Sequence, residues 1–217
     1  MKVAIQAVPE RAQYVANILK VIPHAKVYED VQHHGPFWGM MQILNDSPDG
    51  VLILQDDVFV ADWFLEEAQK SIIPDREMSF CVNAYPKLLN YYQQGYSYLK
   101  TQTLVWGQAN YHPAWIVQKF LEWQSRQTAT VESENRDKPK FRRFYRGRQA
   151  SDRTLSVFLH DENLWSYVTL PNLVNHHRYV STLRHSYNTE NGCAAASYLF
   201  GKKFLRPWNK ESIVTVP

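Results

Sequence analysis

Residues 51–60 read VLILQDDVFV. Val51, Leu52, Ile53 and Leu54 form an unbroken aliphatic run, preceded by the turn-forming Asn45, Asp46, Ser47, Pro48, Asp49 and Gly50. Such a run predicts a strand buried on both faces. Gln55, Asp56 and Asp57 follow at once, where that strand must emerge. Two adjacent carboxylates cannot stay buried without a partner, so they belong at the strand's C-terminal lip. That lip is where open α/β sheets bind ligands. Two partners suit it: a divalent cation shared with a diphosphate, because hard cations take both kinds of oxygen, or the backbone of a strand-end turn.

Working upstream, Lys2 to Val8 alternates loosely and stops at Pro9, as a central strand does before a βα turn. Ala12, Val15, Ala16, Ile18 and Leu19 then recur at helical spacing within Glu10 to Val21. Ala25 to Glu29 predicts a short second strand closed by Asp30. His33, His34, Gly35 and Pro36 form a loop before a second helix, Phe37 to Leu44. This β-α-β-α-β order with short connections predicts a mostly parallel sheet built by right-handed crossovers and flanked by helices.

Downstream, Asp62 is positioned to cap a helix from Trp63 to about Ser71. Met78 to Tyr85 and Gln102 to Tyr111 read as extended. His112 to Gln127 reads as a helix with Pro113 in its first turn and Trp115, Ile116, Phe120 and Trp123 on its apolar face. Ser151 to Leu159 resumes helical spacing, and Leu164 to Leu170 is a last strand ending at Pro171. Residues 186–217 suit either a lid over the site or a completion of the sheet's packing.

A chain of 217 residues suits one α/β domain, here expected to divide into a nucleotide-binding half (1–60) and an acceptor and catalytic half (78–185). With 7 Trp and 13 Tyr, it has aromatic surface to spare for stacking on planar or sugar rings. Cys81 and Cys193 lie far apart without metal-ligand spacing, which argues against a disulfide framework or structural zinc site and for a reducing compartment. MKVAIQAVPERAQ reads as a first strand and not a signal peptide, and no segment has the apolar length to span a bilayer. The expectation is a cytoplasmic protein without integral membrane association, in the host-cell cytoplasm if viral.

The formal charge of +3 is unevenly spread. Residues 134–153 hold eight cations against three anions, a net +5, so the remainder carries −2. Within them, 134–150 predicts a mobile basic loop in which Phe141, Phe144 and Tyr145 interleave with Arg143, Arg146 and Arg148. This mixture suits a phosphate backbone with stacked bases. It equally suits holding a donor diphosphate, touching a membrane surface, or forming a solvated lid.

Four motifs in order then resemble the nucleotide-diphosphate-sugar glycosyltransferases of the GT-A fold. LILQDDV is similar to that family's D-x-D or E-D-D metal motif. LVWGQANYHPAWIVQKFL is similar to its acceptor-side strand, Gly turn and following helix. SDRTLSVFL resembles the helix that opens with the catalytic aspartate of inverting members, and LPNLVNHHRYVSTL the P-x-L-x-x-H-x-x-x-x-S segment in which a histidine returns to the metal. Two departures stand out: Gln55 replaces an acidic residue before the Asp pair, and Arg178 replaces the usual Gly two residues after the histidine.

The resemblance implies an α/β, Rossmann-like GT-A fold and a metal-dependent hexosyl- or pentosyltransferase drawing on a nucleotide sugar, by family habit a UDP-sugar. Mn2+ (or Mg2+) would be held by Asp57 and His176, with Asp56 as ligand or toward the ribose, because carboxylates with imidazole favour manganese. Val8, Pro9, Arg11, Asp30, Asp56 and Arg178 would receive the nucleotide, with Trp38 packing nearby. Asp152 would be the general base for inversion, with Asp161 and Glu162 as lesser candidates. Tyr85, Trp106, Gly107, Tyr111, Arg143, Arg146 and Arg148 would meet the acceptor. Since the basic stretch runs directly into Asp152, the preferred acceptor is DNA carrying a hydroxymethylated pyrimidine, as in bacteriophage DNA-modifying enzymes, with the base leaving the stack.

Other readings stand beside these. Asp152 also suits a helix N-cap, His176 and His177 a half-exposed strand end, Asp30 a turn and Trp38 the core. For the whole chain, the alternatives are a lipopolysaccharide or capsule glycosyltransferase and a non-catalytic nucleic-acid-binding module.

Overall fold

In the computed structural model, which describes residues 1–80, 87–103, 108–133, 151–176 and 206–216, the aliphatic run forms strand β3 (Gly50–Gln55). Val51 and Ile53 enter one hydrophobic core and Leu52 and Leu54 the other, which is why the run has no polar face. Gly50 starts the strand at φ +95°, and a Cβ there would lie 3.0 Å from the carbonyl of His112, so this turn demands glycine.

Before it come β1 (Val3–Ala7), a 3-10 turn (Pro9–Arg11), α1 (Ala12–Val21), β2 (Lys26–Glu29) and α2 (Pro36–Asn45). After it come β4 (Val58–Phe59), α3 (Phe64–Ser71), β5 (Glu77–Ser79), α4 (Lys87–Gln93), β6 (Tyr98–Thr101), β7 (Ala109–Pro113) and α5 (Ala114–Ser133). The last described elements are α6 (Ser151–Asp161), β8 (Ser166–Thr169), β9 (Asn175–His176) and β10 (Ile213–Thr215).

Eight strands make one mixed sheet in the order β10-β6-β8-β5-β7-β3-β1-β2, with helices on both faces. Four pairings are parallel, β1 with β2 and β3, β5 with β8, and β6 with β10. Three are antiparallel, β7 with β3 and β5, and β6 with β8. The expected α/β class and the parallel β1–β3 unit are therefore present. Strand β4 stands apart and pairs antiparallel with β9, Val58 opposite His176 and Phe59 opposite Asn175.

On one face α1 and α3 bring Val15, Ile18, Phe64 and Ala68 against Val3, Ile5, Leu52, Leu54 and Met78. On the other, α2, α5 and α6 bring Met40, Ile43, Val117, Phe120 and Phe158 against Ala4, Val51 and Ile53. Phe120 and Phe158 meet edge to face at 5.2 Å. Burying side chains of this size stabilises by roughly 1.5–3 kcal/mol each.

Several boundaries differ from expectation. His112 and Pro113 end β7 opposite Val51 and Gly50 instead of opening a helix, and α5 starts at Ala114. Asp62 does not cap α3, whose N-cap is Trp63 without a side-chain bond; the turn closes through Phe64 N to Ala61 O. α4 was not anticipated. Of the stretch 186–217, Ile213–Thr215 extends the sheet as an edge strand, and Trp208 donates to Glu67 on α3 (3.1 Å). No helix among the described residues is long and apolar enough to cross a membrane.

Candidate functional site at the lip of the sheet

The three parallel strands of the first half end together, and their loops converge. Asp56 follows β3 directly, with its N–H on the carbonyl of Gln6 (3.0 Å). One carboxylate oxygen of Asp56, Oδ2, accepts from Val8 N–H at 2.9 Å. The other, Oδ1, accepts from Arg11 Nη1 at 2.7 Å, and the same nitrogen donates to Asp57 Oδ2 at 2.9 Å. The short turn Pro9–Arg11 after β1 is what aims the arginine across the gap.

The aspartates are only 4% and 8% exposed, so a counter-charge is required, and the guanidinium supplies it. Burial works against charge on Arg11 and on Asp56. For Arg11 the two carboxylates outweigh it and hold the guanidinium above its usual pKa. For Asp56 burial prevails over the pull of Arg11 and the Val8 N–H, pushing its carboxyl above the ordinary range, with Asp57 adding to the rise.

The β4–β9 ladder brings a distant segment to the same lip. Pairing of Val58 with His176 sets the backbone of His176 one position along from Asp57. Leu173 N–H bonds the carbonyl of Phe80 (2.9 Å), which ties this segment to the end of β5 as well. Two carboxylate oxygens therefore converge on one point, with an imidazole-bearing residue on the adjoining strand. Carboxylate oxygens suit Mn2+ or Mg2+, so Asp56 and Asp57 are donors of the kind such an ion takes. Among the described residues there is no ready-made group of three or more His, Cys, Asp or Glu that could hold a metal.

Asp30 is placed at this lip too, but its carboxylate is engaged by its own loop. It accepts from Gly35 N (2.7 Å) and His34 N (2.9 Å), and meets the His34 ring at 3.1 Å. Burial opposes its charge, yet these donors hold the carboxyl below the ordinary value. The turn role is thus the one the structure displays. Trp38 stacks on His34, with ring centroids 4.6 Å apart.

Asp152 sits in the first turn of α6, where its Oδ1 accepts from Arg153 N at 2.8 Å. Ser166 pairs with Glu77, whose strand neighbour His112 pairs with Val51, so β8 starts at the sheet end opposite the Asp pair. α6 finishes at that far end, and Asp152 is among its residues furthest from it. Asp161 and Glu162 are at the wrong end of the helix and already occupied. Trp123 donates to Asp161 (3.0 Å), and Lys119 and Arg126 hold Glu162 at 2.9 and 2.6 Å.

Tyr111 is not brought to the Asp pair. It pairs with Leu52 and Met78, three residues down β7 from Gln108, which marks the lip by receiving Gln55 N–H, and it packs against the core. Three strand residues amount to about 10 Å. Tyr85, Trp106, Gly107, Arg143, Arg146, Arg148 and Arg178, and the basic loop 134–150, lie outside the described residues.

What sequence reasoning missed is that Arg11 holds the Asp pair itself. The signal was present: an arginine two residues after the proline that ends β1, on the strand neighbouring β3. Comparison with protein-family models and with curated proteins gives no match.

Proposed function

We propose that the chain is a metal-dependent, inverting glycosyltransferase of the GT-A type. It would move a sugar from a nucleotide diphosphate, by preference UDP, to a hydroxyl, with a hydroxymethylated pyrimidine in DNA as the preferred acceptor. The observation that carries this reading is the register of β4 and β9, which joins the segment bearing His176 to the segment bearing Asp57. The parallel β1–β3 unit, whose loops meet at Asp56, supports it further.

In this reading Asp57, Asp56 and His176 would hold Mn2+ or Mg2+, which supplies neutralisation of the diphosphate as the glycosidic bond breaks. Val8, Pro9 and Arg11 line the same lip and would orient the nucleotide. Asp152 would accept the proton of the acceptor hydroxyl as it attacks the anomeric carbon from the face opposite the diphosphate. The test is incubation with Mn2+ and a panel of nucleotide sugars, reading nucleotide release and the anomeric configuration of the product. Metal-dependent release with inversion is expected, while no release across the panel would refute the reading. Mass spectrometry of DNA carrying hydroxymethylated bases, after incubation, separates a DNA acceptor from a lipopolysaccharide or capsule acceptor.

One observation favours a second reading. Because Arg11 balances both aspartates, the pair can be purely structural, and the basic stretch around 134–153 would then make the chain a nucleic-acid-binding module. That reading requires DNA binding that weakens steeply with salt and ignores Mn2+ and nucleotide sugars.

A further inference from the structure

We infer that Arg11 is an exchangeable counter-cation, which fills the position between Asp56 and Asp57 until a nucleotide diphosphate draws it away and a divalent cation takes its place. The inference rests on the glycosyltransferase reading of the site and adds to it an order of binding.

The geometry carries it. A single nitrogen, Arg11 Nη1, touches one oxygen of each carboxylate, at 2.7 and 2.9 Å. A divalent ion held by Asp56 and Asp57 would need the space that this nitrogen fills. Two cations cannot share that point, so ion and guanidinium exclude one another. The arginine side chain hangs from a three-residue turn and not from a strand of the sheet. Asp56 does not lose every donor when it leaves, because Val8 N–H still holds Oδ2. A guanidinium is also the side chain best matched to phosphate oxygens, with paired donors in one plane. A diphosphate arriving at the lip therefore offers Arg11 a second anion, and its departure exposes the two carboxylates to the metal.

The consequence is thermodynamic coupling. A metal ion by itself must break a buried ion pair, whereas a metal ion with a diphosphate exchanges that pair for another. By reciprocity, each ligand tightens the other by the same factor.

The experiment measures Mn2+ affinity by electron paramagnetic resonance of the free ion, for the wild-type chain and Arg11→Met, each with and without UDP. For wild type, UDP is expected to tighten Mn2+ binding by roughly 5–150-fold. Without UDP, Arg11→Met is expected to bind Mn2+ on the order of tenfold more tightly than wild type and to gain less from UDP. Equal Mn2+ affinity of the two proteins without UDP, or weaker binding by the variant, overturns the inference while leaving the metal site in place. Failure of both proteins to bind Mn2+ even with UDP removes the glycosyltransferase reading and this inference together. Arg11→Gln, whose amide still donates to a carboxylate, gives the same comparison if Arg11→Met does not fold.

Discussion

Val58 and His176 are partners in an antiparallel pair, although they lie in opposite halves of the chain. The strand holding His176 has no place in the main sheet; its described partner is the strand that begins one residue after Asp57. His176→Ala should therefore weaken Mn2+ binding in the presence of UDP by at least roughly 10–100-fold, the loss typical of disturbing even the groups that orient metal ligands. Unchanged affinity in calorimetric titration would place the imidazole outside the site.

Asp56 receives both Arg11 and the Val8 N–H. Asp56→Ala leaves a guanidinium beside a single carboxylate and a backbone donor without its acceptor. The expected cost is about 3–5 kcal/mol in urea unfolding, as for breaking a buried ion pair. Asp57→Ala should cost less, since Arg11 keeps Asp56. A loss below about 1 kcal/mol for Asp56→Ala would mean that water enters the site freely.

Helix α2 approaches β1 through Gly39. A Cβ there would lie 2.7 Å from Gln6 Nε2, which itself donates to the carbonyl of Pro36 at 2.6 Å. Gly39→Ala should destabilise the fold by about 1–3 kcal/mol, because the side chain in the way is pinned. Gln6→Ala combined with Gly39→Ala should recover part of that loss. Additive losses in the double variant would show that the contact is not the cause.

Glu77 and His112 face each other inside the sheet, Oε1 to Nδ1 at 3.5 Å, with 1% exposure each. Burial pushes the Glu77 carboxyl from 4.5 up to about 8 and the His112 imidazole from 6.5 down to about 4. From pH 4.5 to about 8 the folded chain binds more protons at Glu77 than the unfolded chain does, so this group makes stability fall as pH rises. From about 4 to 6.5 it binds fewer at His112, so that group makes stability rise. The two slopes oppose one another up to pH 6.5, and above it Glu77 acts alone, with a loss of about 2 kcal/mol by pH 8. Denaturation between pH 6.5 and 8 should show that fall in wild type and a flat profile in Glu77→Gln. A fall of equal size in the variant would assign it elsewhere.

The first half of the fold was legible because local and tertiary signals agree there. Val51 to Leu54 is apolar on both sides and is buried on both sides, and the helices between parallel strands keep their period. Legibility faded where a strand takes its identity from a distant partner. His112 and Pro113 look like a helix start, yet they finish β7 because Val51 and Gly50 lie opposite. Ile213–Thr215 was not predicted as a strand, since three residues carry no period and only pairing with β6 defines them. At the site, the need for a partner to the Asp pair followed from charge burial, but its identity as Arg11 required knowing that β1 and β3 are neighbours. Asp30 was ambiguous for a similar reason: a carboxylate suited to a nucleotide is equally suited to the loop that follows it.

The central claim, that Asp57 helps to hold a divalent cation for a nucleotide diphosphate, is tested most directly by thermal unfolding with Mn2+ and UDP together. Ligand at about 100 times its dissociation constant stabilises by about 2.7 kcal/mol, which for a chain of this size is a rise of roughly 5–10 °C. The wild-type chain should show that rise and Asp57→Ala should not. No rise in wild type, or an equal rise in the variant, would contradict the account.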